Sequence, residues 1–177
     1  MNSRASLLLS LILIMSSLGL NTASPNDGGA DVPMAPSLYE GEVSINGNWN
    51  VSSYILLLNA TVLLTGNLTI TSTGHLEFRN STLLMNLRSN GGYNIVIDGQ
   101  LTMGDMDSSF STQGDASRII SNNTLYKYSI TAKLGSILVL RNSMIMNAGY
   151  SPQYGGFSVY TAAATFDGMT FQNNYYG

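Results

Sequence analysis

Apolar and polar residues alternate in short blocks along this chain, and one block is repeated. Residues 74–80 (GHLEFRN) alternate leucine and phenylalanine with polar residues, between a leading glycine and a closing asparagine. Residues 99–105 (GQLTMGD) follow the same order and close on an aspartate. A period of two places Leu76 and Phe78 on one face of a β-strand, so the block predicts a strand rather than a helix.

Two looser copies extend the repeat. One covers residues 135–142 (GSILVLRN), and the other ends at Phe166 and Asp167 without a leading glycine. The four closing residues are separated by 25, 37 and 25 positions. Two equal steps and one longer step predict a solenoid, in which each repeat stacks on the last and one copy carries an insertion. The closing residues are Asn80, Asp105, Asn142 and Asp167.

Stacking of the repeats predicts which side chains meet. Leu76, Leu101 and Ile137 are expected to lie above one another, as are Phe78, Met103 and Val139, in a parallel sheet with an apolar inner face. The closing residues fall where each strand must bend. Asparagine and aspartate tolerate left-handed backbone geometry, and stacked amides can form a hydrogen-bonded ladder, so we expect a structural ladder at these positions.

Composition narrows the function classes. Only 10% of the residues are charged, the net charge is −3, the pI is about 4.8 and cysteine is absent. A nucleic-acid partner needs clustered lysine and arginine, which this chain lacks. The absence of cysteine excludes disulfides and cysteine-based metal or redox chemistry.

The N-terminal residues predict export. Arg4 precedes an apolar run that gives way to small residues near Ala23, which is typical of a signal peptide over residues 1–24. The alternative is an uncleaved membrane anchor, although the run is shorter than the roughly 20 residues of a spanning helix. Residues 25–37 contain three prolines and predict a disordered linker. The protein is therefore expected to be secreted or at the cell surface.

The rest of the chain, residues 38–177, is predicted to be one β domain. Trp49 is interpreted as a cover for the end of the apolar column, or alternatively as a ligand platform. Residues 108–124 are predicted to form the inserted loop, and residues 147–157 a second loop. The last coil is incomplete at residue 177, so we expect this domain to be the N-terminal part of a longer protein.

Three segments carry a family resemblance: residues 74–83, 140–147 and 165–174 (GHLEFRNSTL, LRNSMIMN and TFDGMTFQNN). They resemble the degenerate repeats of right-handed parallel β-helix, pectin-lyase-like proteins, in particular exported surface proteins of archaea and bacteria. The resemblance implies an all-β fold: a right-handed, single-stranded parallel β-helix of about five coils. It leaves activity open, since the superfamily includes pectate lyases, polygalacturonases, phage tailspikes and adhesins.

Candidate chemistry is sparse. Asp105 and Asp107 would lie on one strand face about 7 Å apart, close enough to share a calcium ion, the one cofactor suggested, or to flank a glycosidic bond. Asp105 also has the alternative structural role given above. His75 is the only histidine, so a histidine metal site or a catalytic triad lacks partners.

Aromatic residues and glycosylation sequons suggest binding and modification. Tyr126, Tyr150 and Tyr154 flank or occupy the two loops, where their rings would stack on sugars or simply anchor the loops. Sequons for N-glycosylation occur at Asn50, Asn59, Asn67, Asn80 and Asn122. Because Asn80 is expected in a turn, Asn122 in the insertion is interpreted as the best acceptor.

Two functions remain open from the sequence. The first is a non-enzymatic surface or adhesion-type scaffold that presents a face to glycans or other surface proteins. The second is a polysaccharide lyase or glycoside hydrolase whose catalytic coils lie in a missing C-terminal part. In either case membrane contact is expected only through the signal segment or a missing C-terminal anchor.

Overall fold

The computed structural model describes residues 36–105, 116–151 and 153–175. The predicted signal peptide and nearly all of the predicted linker lie outside these residues. Strands and turns account for the described chain, and no helix in it is long and apolar enough to cross a membrane. The described strands are β1 (Ser37–Asn46), β2 (Trp49–Val51), β3 (Tyr54–Thr65), β4 (Leu68–Ile70), β5 (His75–Arg79), β6 (Thr82–Met85), β7 (Asn94–Ile97), β8 (Gln100–Gly104), β9 (Arg118–Ser121), β10 (Ser129–Ala132), β11 (Ile137–Arg141), β12 (Met144–Met146), β13 (Phe157–Val159), β14 (Ala164–Asp167) and β15 (Thr170–Gln172).

The named strands pair in parallel throughout, each with its counterpart one repeat away in sequence. We call one such repeat a coil. A ten-stranded sheet has the order β14-β11-β8-β5-β3-β6-β9-β12-β15, with β1 also paired to β3. A five-stranded sheet has the order β13-β10-β7-β4-β2. The fold is all-β and consistent with a parallel β-solenoid, because parallel neighbours need a crossover through the rest of each coil.

The ten-stranded sheet curls around the core because the two halves of β3 pair with two different strands. Residues 54–58 pair with β5, and residues 61–64 pair with β6. Asn59 lies between these segments with a φ of 49°. This left-handed residue turns the strand, so the sheet wraps around the apolar interior as a half-barrel.

Inward-facing residues of successive coils form apolar columns, because each coil lies about 4.8 Å from the next in the hydrogen-bonding direction. Leu76, Leu101, Phe78 and Met103 are all nearly or fully buried, as the alternation predicts. One column is Ile55, Leu76, Leu101, Leu138 and Ala164, and a second is Leu57, Phe78, Met103, Leu140 and Phe166.

The predicted position of Ile137 in the first column is wrong. Leu138 pairs with Leu101 and is 1% exposed, whereas Ile137 pairs with Gln100 and is 44% exposed. Val139 is likewise displaced from the second column by Leu140. The run Ile-Leu-Val-Leu is apolar at both phases of a period of two, so the pattern alone did not decide which residues turn inward.

Close backbone contact between coils explains the leading glycines. A Cβ on Gly99 would overlap the carbonyl oxygens of Thr71 and Gly74, and one on Gly74 would overlap that of Val51. In the third copy this stacked position belongs to buried Ser136, because Ile137 donates its backbone N–H to the Gly99 carbonyl at 2.9 Å. Gly135, the leading glycine of the third copy, therefore lies one residue before the position that stacks on Gly99.

The two ends of the described core differ. Trp49 is 7% exposed and contacts Tyr39 edge to face at 6.1 Å, so its ring covers the core and is not an open ligand platform. At the other end Phe166 and Phe171 are 43% and 49% exposed. With Phe157 they line a cavity of about 300 Å³.

Candidate functional site

Asparagine side chains connect the coils at the corner of the curled sheet. Asn59, Asn80 and Asn142 have φ values of 49°, 47° and 44°. Asn80 donates an Nδ2 hydrogen bond to Oδ1 of Asn59 at 2.8 Å, and Asn142 donates one to Oδ2 of Asp105 at 2.7 Å. The corner positions thus combine left-handed geometry with hydrogen bonds between coils. Asn59 belongs to this ladder as well as to a sequon.

Asp167 does not occupy the ladder position predicted for it. It pairs with Arg141, which places Gly168 opposite Asn142. Gly168 has a φ of 62°, so the last described corner keeps the left-handed geometry with a glycine in place of an amide.

The predicted calcium pair is only partly described. Asp107 lies outside the described residues, and Asp105 already accepts the hydrogen bond from Asn142. Within the described ranges no group of three or more histidine, cysteine, aspartate or glutamate side chains is arranged to hold a metal ion. The described geometry around Asp105 is therefore that of a corner residue.

A groove of about 420 Å³ runs along the outer face of β5, β8 and β11. Gly104 lines the groove and has no side chain to fill it, and a Cβ added there would meet no atom within 4 Å. Arg79 and Arg141 line it from the coils on either side of Gly104. Missing side-chain volume in the middle coil therefore opens a notch between two arginines whose backbones are about two strand spacings, or roughly 10 Å, apart. The groove is also lined by Glu77, Thr102, Asp105, Asn142 and Asp167.

Glu77 is the buried carboxylate of this groove. Its Oε1 accepts a hydrogen bond from Nε of Arg79 at 2.6 Å, and its Oε2 accepts one from the hydroxyl of Tyr54 at 2.6 Å. The Glu77 side chain is 11% exposed, whereas that of Arg79 is 51% exposed. One face of the Arg79 guanidinium is therefore held by Glu77 while the remainder faces the groove.

His75 continues this polar network. Its ring stacks on Tyr54 with centroids 4.6 Å apart, and its Nε2 lies 3.0 Å from the hydroxyl of Thr102. Burial lowers the pKa of His75, and the negative charge of Glu77 partly opposes that shift. Burial and the bond to Glu77 raise the pKa of Tyr54. At neutral pH His75 is therefore an uncharged link between three coils.

The three candidate tyrosines divide into different roles. Tyr150 and Tyr154 stack with ring centroids 5.2 Å apart and an angle of 14° between planes, and Tyr154 is 47% exposed. The Tyr150 ring occupies the space that a Cβ on Gly91 would need. Tyr126 instead packs partly buried against the apolar core, the arrangement of a loop anchor. Of the three candidates, Tyr150 and Tyr154 form the pair with an open aromatic surface, and this pair is called the tyrosine shelf.

Neighbouring Tyr128 is wholly structural. It is fully buried, and its hydroxyl lies 2.8 Å from the carbonyl oxygen of Ile119 and 3.0 Å from that of Met146. Burial raises its pKa well above the usual value.

Comparison with family models, curated proteins and solved structures found no match for this chain. The groove, the tyrosine shelf and the ladders are therefore the features that bear on function.

Proposed function

We propose that this protein is an exported, right-handed, single-stranded parallel β-helix that presents a lateral binding face to glycans or to other surface proteins. Right-handedness is supported by the general rule that crossovers between parallel strands of one sheet are almost always right-handed. The pectin-lyase-like resemblance of the repeats supports the same assignment. Secretion or surface display rests on the composition of residues 1–24.

The tyrosine shelf carries the proposal for binding. Tyr150 is fixed against Gly91, and Tyr154 stacks on it with almost half of its surface open. A fixed aromatic ring offers a large apolar face and a hydroxyl at little cost in side-chain entropy. Sugars present both apolar C–H faces and hydroxyls, so the shelf suits a glycan ligand.

A glycan array probed with the purified full chain tests this proposal. Binding to a subset of glycans is expected, and Tyr154→Ala should reduce that binding at least tenfold. Tyr160→Ala is the matched control, because Tyr160 is 66% exposed but lies outside the stacked pair. Equal loss in both variants, or an array without signal, would contradict glycan binding at the shelf.

The alternative is a polysaccharide lyase or glycoside hydrolase, and the groove favours it. Arg79, Arg141, Asp105 and Asp167 bring guanidinium and carboxylate groups to one face, and these are the residue types that such enzymes use for proton transfer and charge stabilisation.

Incubation with uronic-acid polysaccharides distinguishes the two functions. A lyase would generate the ultraviolet absorbance of an unsaturated sugar, whereas a hydrolase would generate reducing ends alone. Either activity should disappear in Arg141→Ala and persist in Arg88→Ala, since Arg88 is exposed but does not line the groove. Absence of both products with the wild-type chain would reject catalysis at this groove.

A further inference from the structure

The five sequon asparagines differ in what their carboxamides do. Asn80 donates its Nδ2 hydrogen bond to Asn59, as described for the corner ladder. Asn122 donates its Nδ2 hydrogen bond to Oδ1 of Asn86 at 2.9 Å. These three sequon side chains therefore belong to hydrogen bonds that join neighbouring coils.

Asn67 is engaged on both sides. Its Nδ2 donates to Oδ1 of Asn48 at 3.2 Å, and its Oδ1 accepts from the backbone N–H of Asn94 at 2.9 Å. A sugar that replaces one of the two hydrogens on Nδ2 would crowd the Asn48 side chain across the spacing of about 4.8 Å between coils. Glycosylation at this position would therefore displace a ladder that spans three coils.

Asn50 is different. It is the outward-facing central residue of β2, it is exposed, and its side chain makes no hydrogen bond with any residue in the described ranges. Its neighbours Trp49 and Val51 face the core. A glycan on Asn50 would point directly into solvent and disturb neither a ladder nor an apolar column.

The main chain at Asn50 gives this position a second property. The N–H of Trp49 donates to the Asn67 carbonyl, and the Val51 carbonyl accepts from Thr71. Because alternate residues of a parallel strand bond to opposite sides, the N–H and C=O of Asn50 face away from β4. β2 is the last strand of the five-stranded sheet in the described chain, so these groups lie on an open edge. Open edges invite pairing with other chains unless something covers them.

We propose that Asn50 is the N-glycan acceptor of this protein and that its glycan covers the edge of β2. In the transfer the carboxamide Nδ2 forms a bond to the anomeric carbon of a lipid-phosphate-linked sugar. The bond from that carbon to the phosphate oxygen breaks, its electron pair leaves with the phosphate, and the amide proton is released. This inference rests on the export proposed above, because such donors act outside the cytoplasm.

The test uses the full chain with its own N-terminal residues, produced in a host that performs N-glycosylation. Secreted protein is treated with a peptide N-glycosidase in heavy-oxygen water, which marks each formerly glycosylated asparagine for peptide mass spectrometry. High occupancy is expected at Asn50, with at least tenfold lower occupancy at Asn59, Asn67, Asn80 and Asn122. Comparable occupancy at any of those four, or an unmodified Asn50, overturns the proposal.

Two variants complete the experiment. Ser52→Ala removes the sequon but keeps Asn50, and it should lower the intact mass by one glycan without changing the melting temperature. Light scattering of Ser52→Ala should show increased association at high concentration, whereas Thr124→Ala, which removes the Asn122 sequon, should behave like wild type. Association unchanged in Ser52→Ala would reject the edge-covering role. If the chain stays inside the cell, the proposed export is wrong but the proposed acceptor is still open to test. An unrelated secretion signal placed before the full chain then allows the occupancy of Asn50 to be measured.

Discussion

The side chain of Asn142 donates a 2.7 Å hydrogen bond to the carboxylate of Asp105, which occupies the equivalent corner of the preceding coil. The two residues lie 37 positions apart in sequence, across the longest repeat. The ladder therefore keeps its alignment across the insertion. A side chain proposed as half of a calcium pair is already part of the framework that joins two coils.

Left-handed geometry and hydrogen bonding at the corners can be separated at Asn80. Asn80→Gly keeps access to a φ of 47° but loses the bond to Asn59, which should cost about 0.5–1.5 kcal/mol of unfolding free energy. Asn80→Ala loses both, and its strained backbone should cost a further ~1–2 kcal/mol. Urea denaturation measures the difference, and an alanine variant as stable as the glycine variant would show that the left-handed backbone is unimportant.

The register of the third coil can be tested with two adjacent residues. Leu138→Ala removes a buried side chain from the first column and should cost about 2–5 kcal/mol. Ile137→Ala removes a half-exposed side chain and should change stability by only about 0.5 kcal/mol. Thermal unfolding of both variants provides the measurement. A reversed order of effects would restore Ile137 to the core.

Close approach between coils predicts a glycine-specific effect. Gly99→Ala places a Cβ against the carbonyl oxygens of Thr71 and Gly74 and should destabilise the fold by about 1–3 kcal/mol. Gly104→Ala is the control in the same coil, because a Cβ there meets open space and should leave stability unchanged. Equal melting temperatures for the two variants would mean that the coils separate easily at Gly99.

The pH dependence of stability should report His75, the only histidine of the chain. Burial lowers its pKa in the folded state, so the unfolded chain binds this proton first as the pH falls below about 6.5. Stability should be full above that pH, decline as the pH falls toward the lower folded pKa, and level off beneath it.

Urea midpoints between pH 7.5 and 5.5 measure this decline. His75→Asn removes the titrating group while keeping a polar side chain near Thr102, and it should abolish most of the slope. An equal slope in the variant would assign the dependence to other groups.

Local alternation was enough to predict strands and the inward faces of the two regular repeats. Leu76, Phe78, Leu101 and Met103 alternate with polar residues, so a period of two has one reading. The four consecutive apolar residues at 137–140 allow either alternate pair to face the core. The hydrogen bond from Ile137 to Gly99, which is a contact between coils, decides which pair does so. Sequence pattern therefore fixes facing only where the outward positions are polar.

The groove illustrates what local pattern cannot supply. The groove is lined by Arg79, Gly104 and Arg141, which are far apart in sequence. Only the stacking of the coils places Gly104 between the two arginines, so the sequence alone gives no sign that this glycine opens a groove. The same is true of Asn50, because its carboxamide differs from those of the four other sequons only in that ladders engage those four. The sequence places Tyr126, Tyr150 and Tyr154 together near the two loops, but packing separates the partly buried Tyr126 from the stacked pair.

Unequal coil lengths have a consequence for assembly of the fold. Along the first column, successive coils advance by 21, 25, 37 and 26 residues. Strands with similar apolar faces would otherwise be interchangeable, and a strand could dock one full turn too early or too late. Here neighbouring steps differ in length by at least four residues, so a strand that docked one coil away would have to stretch or buckle its connecting segment. Irregular spacing obscures the repeat in the sequence, but it also favours docking of each strand against its correct neighbour.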